Sequence, residues 1–165
     1  EVSLVVKGGN HGWNVKEGTH CFDAENPNQA EAGCPDVVGP GHPRSGYPLI
    51  DPIIEYPQAR LGGPGVAVVG GFVYRGETLP QFHGRYIFGD WSKSFGQMDG
   101  QIFFATKGSD GKWSMEIAEV TNMKGRKPYV LAFAQDNAGE VYALTSITTG
   151  PNGSMDTIYK IVPAK

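Results

Sequence analysis

The sequence has little charge and no long hydrophobic run, and both deficits exclude classes of partner. Only 19% of the 165 residues are charged, the net charge is -3, and the 14 lysines and arginines form no basic stripe that could hold a phosphate backbone. Nucleic acid is therefore not an expected partner. The apolar run at residues 66–69 ends at a Gly-Gly pair and, like every other apolar run in the chain, is far shorter than the roughly 20 residues of a membrane helix. No membrane span is expected.

Glycine and proline are abundant, and they favour strands over helices. The 24 glycines and 12 prolines would destabilise helix interiors but suit tight turns between short strands. An all-β fold is the prediction. The chain opens on Glu-Val-Ser-Leu with neither an initiating Met nor a signal peptide. We interpret this start as a processed terminus or as the beginning of a piece of a longer protein, and the strand count below favours the piece.

The two cysteines, Cys21 and Cys34, lie in a segment rich in Gly, Pro, Asn and Asp that could not build a hydrophobic core. A disulfide would hold this loop at a gain of about 3 kcal/mol and would indicate a secreted, extracellular or periplasmic protein. Two free thiols are the alternative, and zinc is disfavoured because His20 and His42 lack metal-finger spacing. A glycosylation sequon begins at Asn152 and points the same way.

Strand-like segments divide the chain unevenly. Residues 1–6 and 51–57 each read as a strand, whereas residues 14–50 sustain no period and read as a long, disulfide-stapled loop. From residue 66 onward, short alternating segments are separated by turn sequences. Their ranges are 70–75, 85–89, 101–106 and 113–120, followed by 129–135, 140–146 and 157–162.

This spacing predicts part of a β-propeller. Residues 66–120 form one complete four-stranded blade, residues 129–162 form a last blade of three strands, and the leading strand ends a preceding blade. So few blades cannot close a ring and would leave sheet faces and edges exposed. We therefore expect the remaining blades, or another chain, to be partners of this one.

Five motifs support a closer comparison. Residues 8–14 read Gly-Gly-Asn-His-Gly-Trp-Asn, 17–22 read Glu-Gly-Thr-His-Cys-Phe, 70–76 read Gly-Gly-Phe-Val-Tyr-Arg-Gly, 86–90 read Tyr-Ile-Phe-Gly-Asp, and 136–142 read Asp-Asn-Ala-Gly-Glu-Val-Tyr. Together they resemble the C-terminal half of glucose/sorbosone dehydrogenase-like proteins. That family includes pyrroloquinoline quinone-dependent sugar dehydrogenases and hedgehog-interacting-protein-like proteins. The resemblance implies that residues 1–165 are the C-terminal segment of one six-bladed propeller.

The resemblance also implies a chemistry, of which this chain carries little. In the enzymes of the family, a quinone polarised by calcium accepts a hydride from a sugar C1 carbon while a histidine takes the hydroxyl proton. That histidine belongs to the N-terminal half of those proteins, so His11, His20, His42 and His83 are not assigned its role. Lys93 is the nearest match to a quinone-binding lysine.

The quinone carboxylates and the structural calcium depend on other residues of those enzymes. Two arginines pair with the carboxylates from the strand corresponding to 129–135, which here contains no arginine. A structural calcium site is expected at the carboxylate of Glu1 together with a backbone oxygen at His11, and a solvated glutamate is the alternative.

Other residues have two interpretations each. Asp90 ends a predicted strand, where it would contact a ligand or cap its own turn. Four aromatic residues would stack on a sugar or, more in keeping with a propeller, fill the space between blades: Trp13, Tyr74, Tyr86 and Trp91.

Three functions follow from the sequence. The first is a segment of a secreted quinoprotein that oxidises a sugar C1 hydroxyl. The second is a non-catalytic extracellular propeller that binds a protein or a glycan, and the third is a structural subunit of a larger assembly. The absent arginines favour the latter two, which are the alternatives, whereas the overall family resemblance favours the first, which is the prediction.

Overall fold

The computed structural model describes residues 1–27, 33–121, 125, 127–149 and 156–164. Among them there is no α-helix, only two short 3-10 turns at Ala59–Leu61 and Pro80–Phe82, and every strand pair is antiparallel. The all-β prediction is confirmed. In the same part of the chain, no helix has the length and apolarity needed to cross a membrane. The chain divides into two compact units, Glu1–Glu55 and Tyr56–Lys165.

The first unit contains little regular structure. Strands β1 (Lys16–Glu17) and β2 (His20–Cys21) form a small hairpin, and isolated bridges join Val2 to Ile54 and Val37 to Pro48. The prediction of strands at 1–6 and 51–57 is therefore wrong, because each segment contributes a single bridge. Two prolines lie in the 51–57 segment and lack the N–H that a longer ladder would need.

Covalent and ionic contacts occur in this first unit where a large apolar core is missing. Cys21 and Cys34 are bonded to each other, as predicted. The ammonium of Lys16 is buried and lies 2.5 Å from Asp36 Oδ1 and 3.3 Å from Asp51 Oδ1. The hydrogen bond to Asp36 raises the pKa of Lys16, so the ammonium stays charged at neutral pH.

The second unit contains a four-stranded meander formed by β3 (Val68–Val73), β4 (Tyr86–Asp90), β5 (Gln101–Lys107) and β6 (Trp113–Ile117). A bulge interrupts β3 between Val69 and Phe72. At Gly71 a Cβ atom would lie 1.9 Å from the carbonyl oxygen of Ile87, so only glycine allows the two backbones to come this close.

A three-stranded meander follows, formed by β7 (Tyr129–Gln135), β8 (Val141–Ser146) and β9 (Asp156–Lys160). All seven strands of the two sheets lie at the predicted positions, and their ends differ from the prediction by at most three residues. Predicted and observed bounds agree best for β7. The alternation of apolar and polar residues, read together with the turn sequences, was sufficient to locate these strands.

The two sheets pack against each other at their first strands, β3 and β7. The core between them consists of Tyr74, Leu79, Ile87, Phe104, Val130, Phe133, Val141 and Ala143. Phe133 packs onto the backbone of β4, where a Cβ on Gly89 would lie 3.2 Å from its ring. The glycine thus lets an aromatic side chain of one sheet reach the surface of the other.

Candidate functional site

One end of the two sheets carries the segments that follow β4, β6 and β8. Asp90 pairs with Gln101 and Tyr129 pairs with Ser146, so β4 and β8 end where β5 and β7 begin. Residues 91–100, 118–121 and 147–149 therefore lie at a common end, which we call the groove end. Connections that share one end of a sheet are where binding residues are usually found.

The loop of residues 91–100 has a fixed conformation and an apolar surface. Ser92 is buried, and its hydroxyl donates to the carbonyl oxygen of Gln97 at 2.7 Å. The Ser92 Oγ in turn accepts a hydrogen bond from the N–H of Asp99 at 3.1 Å. Around this closed turn, Phe95 is 74% exposed and Met98 is exposed as well. Phe95 and Met98 are therefore exposed to solvent on a loop whose backbone is fixed by hydrogen bonds.

Trp91 attaches this loop to the second sheet. Its ring stacks on Tyr129 with centroids 4.4 Å apart, and its carbonyl oxygen accepts a hydrogen bond from Val130 N–H at 3.1 Å. The ring of Phe95 lies 5.7 Å from that of Trp91. Contacts to both sheets limit how far the loop can move.

A groove of about 140 Å³ opens beside the loop. Ile102 and Val130 of the groove belong to, or pack on, the core between the sheets, and Ile117 and Val120 are exposed at its mouth. A volume near 150 Å³ holds one benzene-sized group. The lining is completed by Gly100, Gln101, Ala118, Glu119, Lys127, Pro128 and Thr145.

The polar groups of the groove suit binding better than catalysis. Lys127 Nζ lies 3.3 Å from Asp99 Oδ1, and the Thr145 hydroxyl donates to the carbonyl oxygen of Thr157. An apolar floor between paired polar groups matches the anchor pocket of a protein interface.

The predicted quinone ligand Lys93 lies in the loop at the groove end, exposed to solvent, and its N–H donates to the carbonyl oxygen of Asp99. Strand β7 places no guanidinium beside it. The described residues therefore do not fit the carboxylates of a quinone. Quinone binding stays a prediction without support from this geometry.

The residues of the predicted calcium site lie in the first unit. Glu1 Oε2 accepts a hydrogen bond from Gly18 N–H at 2.7 Å, and the neighbouring Thr19 N–H donates to Glu55 Oε2 at 2.7 Å. His11 Nδ1 is buried and has no hydrogen-bond partner in the structure. Calcium takes six to eight oxygens, and the described residues bring no three acidic or histidine side chains together. The calcium site stays a prediction. Asn152, the predicted glycosylation site, lies outside the described residues.

Asp90 has a structural role. Its side chain is 0% exposed, Oδ1 accepts from the N–H groups of Val66 at 2.8 Å and Ala67 at 3.0 Å, and Oδ2 accepts from the Tyr56 hydroxyl at 2.7 Å. Burial, together with the adjacent carboxylate, raises the pKa of Tyr56. Asp90 thus caps backbone groups, including that of Ser92, and is not available to a ligand from solvent.

The four aromatic candidates have different environments. Tyr74 is fully buried in the core between the sheets, and Tyr86 stacks on Phe88 while its hydroxyl accepts from Gly71 N–H. For Tyr74 the packing interpretation is confirmed, whereas Tyr86 packs within its own sheet. Trp13 is 70% exposed and stacks on Phe22, with centroids 4.8 Å apart. Sugar stacking at Trp13 stays a prediction.

Sequence reasoning did not identify Glu140 as a site residue. Its buried carboxylate accepts from the hydroxyls of Tyr74 at 2.9 Å and Thr78 at 2.6 Å, and from the N–H groups of Glu77 and Thr78. The Thr78 hydroxyl is the main cause that lowers the pKa of Glu140 to about 2. Glu140 joins the second sheet to the loop after β3. The only signal in the sequence was its place in the 136–142 motif.

Comparison with known proteins identifies low-identity relatives. The chain is 28% identical over 158 residues to the protein named HIPL1 protein from Arabidopsis thaliana, a match that covers 88% of this chain and 21% of the relative. It is 24% identical over 160 residues to HIPL2 protein from the same plant, with the same coverage. Hedgehog-interacting protein from Mus musculus is 33% identical over 102 residues, which cover 59% of this chain and 14% of the relative. These proteins are homologues. No protein-family model matches the chain.

The relatives decide between the two branches of the predicted resemblance. The hedgehog-interacting-protein-like branch is confirmed as a source of homologues, whereas none of these three names describes a sugar dehydrogenase. The chain spans about a fifth of the length of the two plant relatives and less of the mouse protein. Sugar oxidation stays a prediction.

Proposed function

We propose that this chain is a segment of a non-catalytic, extracellular β-propeller that binds another protein at the groove end. The observation that carries the proposal is the apolar groove at the same end of the sheets as the exposed Phe95, on a chain whose homologues include hedgehog-interacting protein. The alternative of a protein-binding propeller thus has more support than the quinoprotein dehydrogenase.

The packing of the sheets supports a propeller. Each of the two meanders begins with the strand that contacts the neighbouring sheet, β3 in one and β7 in the other. Adjacent blades of a propeller contact each other most closely at their inner strands, around the central channel. We propose that the two meanders are consecutive blades and that six blades complete the ring.

The disulfide supports an extracellular location. Bonds of this kind persist in oxidising compartments and are rare where thiols are kept reduced. Cys21 and Cys34 close a loop of the first unit, and this covalent restraint would be lost in a reducing compartment.

The groove end has the features of a protein-binding surface. Phe95 and Met98 project from an ordered loop, and ordered apolar side chains lose little conformational freedom on binding. Interface hot spots typically combine large side chains that enter pockets of the partner with pockets that receive a side chain of the partner. The names of two relatives, the mouse and human hedgehog-interacting proteins, point to a hedgehog protein as the first partner to test.

Binding can be measured by biolayer interferometry with a purified mouse hedgehog signalling domain. We expect Phe95→Ala to weaken the complex about 30-fold, the loss typical of a hot-spot aromatic. Val162→Ala is the matched control, since Val162 is also exposed and apolar but follows β9 at the opposite end of the sheet. Equal affinities of the Phe95 variant and the parent would rule out the groove end as the binding surface.

A second assay tests for sugar oxidation by this segment, although the proton-accepting histidine of the resembled enzymes lies in the half that the segment does not match. The chain is mixed with pyrroloquinoline quinone and calcium, and reduction of a redox dye by glucose is followed by absorbance. We expect no reduction above that of the free quinone, because β7 offers no arginine for the quinone carboxylates. Dye reduction that requires the protein would restore the dehydrogenase interpretation.

A further inference from the structure

Aspartate precedes glycine at two places in the chain, and the structure gives the two pairs opposite surroundings. The first pair, Asp99 and Gly100, lies at the groove end, and the second, Asp110 and Gly111, lies in the turn between β5 and β6. An aspartate followed by glycine can react with its own backbone, because no side chain on the next residue keeps the amide nitrogen away from the carboxyl carbon. The surroundings of each pair therefore decide whether it reacts in the folded chain.

The pair at Asp110 is exposed and forms hydrogen bonds within its own turn. Asp110 Oδ1 accepts from the N–H of Lys112 at 3.1 Å, which folds the carboxylate back along the peptide groups that follow it. The Gly111 N–H donates to the carbonyl oxygen of Gly108 at 3.0 Å. A Cβ atom on Gly111 would meet no atom of the described residues within 4 Å, so the turn has room to change shape. Hydrogen bonds at an exposed turn tip open at little cost.

The pair at Asp99 is fixed by neighbours from other segments. Asp99 Oδ1 accepts from the side-chain amide of Gln101 at 3.0 Å and lies 3.3 Å from Lys127 Nζ. A Cβ atom on Gly100 would lie 2.2 Å from the carbonyl oxygen of Pro128, so the segment before β7 covers this part of the backbone. Both the carboxylate and the next peptide group must leave these contacts before they can meet.

We propose that Asp110 is a site of spontaneous isomerisation in the folded protein and that Asp99 is protected. The Gly111 amide nitrogen attacks Cγ of the protonated Asp110 carboxyl, so the N–Cγ bond forms and the Cγ–OH bond breaks. The hydroxyl and the amide proton leave as one water molecule, and a succinimide remains. Water then opens this ring at either carbonyl: release of the nitrogen from Cγ restores aspartate, and its release from the main-chain carbonyl carbon gives isoaspartate. The reaction needs no oxidant, and the proposal does not depend on the partner bound at the groove end.

Isoaspartate at this position would loosen the start of β6. The isomer carries the main chain through the side chain, which adds a methylene group to the turn and moves the carboxylate onto a branch. The Gly108 N–H donates to the carbonyl oxygen of Lys112 at 2.7 Å, a bond that the longer backbone no longer matches. Strand β6 begins directly after this turn with Trp113 opposite Lys107, so its first pair is the one disturbed.

Both pairs can be compared in one ageing experiment at neutral pH and body temperature. Trypsin cuts between them at Lys107, so Asp99 and Asp110 fall in separate peptides. Chromatography against synthetic standards, combined with mass spectrometry, measures the isoaspartate in each peptide. We expect isoaspartate to form at least about 10-fold faster at Asp110 than at Asp99, because the covered segment must open further before it reacts.

The same chain aged in urea is the matched control. Without a fold the two pairs have similar surroundings, so Asp99 and Asp110 should isomerise at similar rates. Asp110→Asn keeps a side-chain oxygen that can accept from Lys112, and it should form isoaspartate faster than the parent, since an uncharged amide is attacked more readily than a carboxylate. Asp110→Ser can accept the same bond and should form none.

Amide hydrogen exchange tests the consequence for the sheet. Exchange in β6 should be faster in the aged parent than in the fresh parent, and it should not change when Asp110→Ser is aged. Equal rates at Asp99 and Asp110 in the folded chain would overturn the proposal. So would the absence of isoaspartate at Asp110 over a period in which the chain in urea forms it, or unchanged β6 exchange in a chain that contains it.

Discussion

The bond between Tyr56 and Asp90 gives the sharpest test of how the second unit is stabilised. Asp90 is completely buried, and its Oδ2 accepts from the Tyr56 hydroxyl at 2.7 Å. Tyr56→Phe removes the hydroxyl and keeps the ring, whose centroid lies 5.7 Å from that of Phe103. The change therefore isolates one hydrogen bond to a buried carboxylate.

Its magnitude follows from the charge on the acceptor. Hydrogen bonds to charged groups contribute about 1.5–3 kcal/mol. Asp90 Oδ2, which would lose its donor in the variant, has no access to water. We expect Tyr56→Phe to lower the free energy of unfolding by about 2 kcal/mol. In a domain of about 100 residues, this corresponds to a fall in melting temperature of about 10 °C.

Urea unfolding followed by tryptophan fluorescence measures this loss. Tyr159→Phe makes the same chemical change at an exposed phenol of β9 and should cost less than about 0.5 kcal/mol. A double-mutant cycle with Asp90→Asn should give a coupling energy of about 1 kcal/mol or more. A loss at Tyr56 no larger than at Tyr159, or additive effects in the cycle, would refute the charged hydrogen bond as the cause.

Three further predictions concern the disulfide, the buried carboxylate and a close backbone contact. Replacing Cys21 and Cys34 with serine should cost about 3 kcal/mol and raise amide hydrogen exchange in the first unit; unchanged exchange there would contradict the role of the staple. The charged carboxylate of Glu140, whose pKa is lowered, stabilises the fold above about pH 4.5, and this contribution is lost as the pH falls towards 2. Glu140→Gln should therefore flatten the dependence of the melting temperature on pH over that interval. Gly89→Ala should lower the free energy of unfolding by about 1–3 kcal/mol, because the new Cβ would lie 2.6 Å from the carbonyl oxygen of Gln101. Gly96→Ala, whose Cβ would meet no atom within 4 Å, should leave the melting temperature unchanged.

Local sequence predicted the strands of the second unit well and those of the first unit poorly. The second unit alternates apolar and polar residues between turn sequences such as Asp-Asn-Ala-Gly, so each strand carries its own signal. Residues 1–6 carry a similar signal but have only Ile54 as a bridging partner. A strand requires a neighbour as well as a pattern, and the neighbour is decided by the rest of the chain.

The candidate site was less predictable for the same reason. Lys93 and Glu1 were proposed from a resemblance, and quinone or calcium binding at them stays a prediction. Glu140, which no local pattern singled out, accepts from Tyr74, a residue 66 positions earlier in the chain. Ser92 likewise organises the Phe95 loop through hydrogen bonds that sequence spacing does not reveal.

The sequence by itself predicted the all-β class, the order of seven strands, and the disulfide between Cys21 and Cys34, for which free thiols were the alternative. Only the tertiary structure decided that Asp90 and Glu140 are buried acceptors and that a groove opens between the sheets. Strand formation depends on periodicity within a few residues, which the chain encodes locally. Burial and the grouping of side chains depend on contacts between distant segments, which exist only once the sheets have packed.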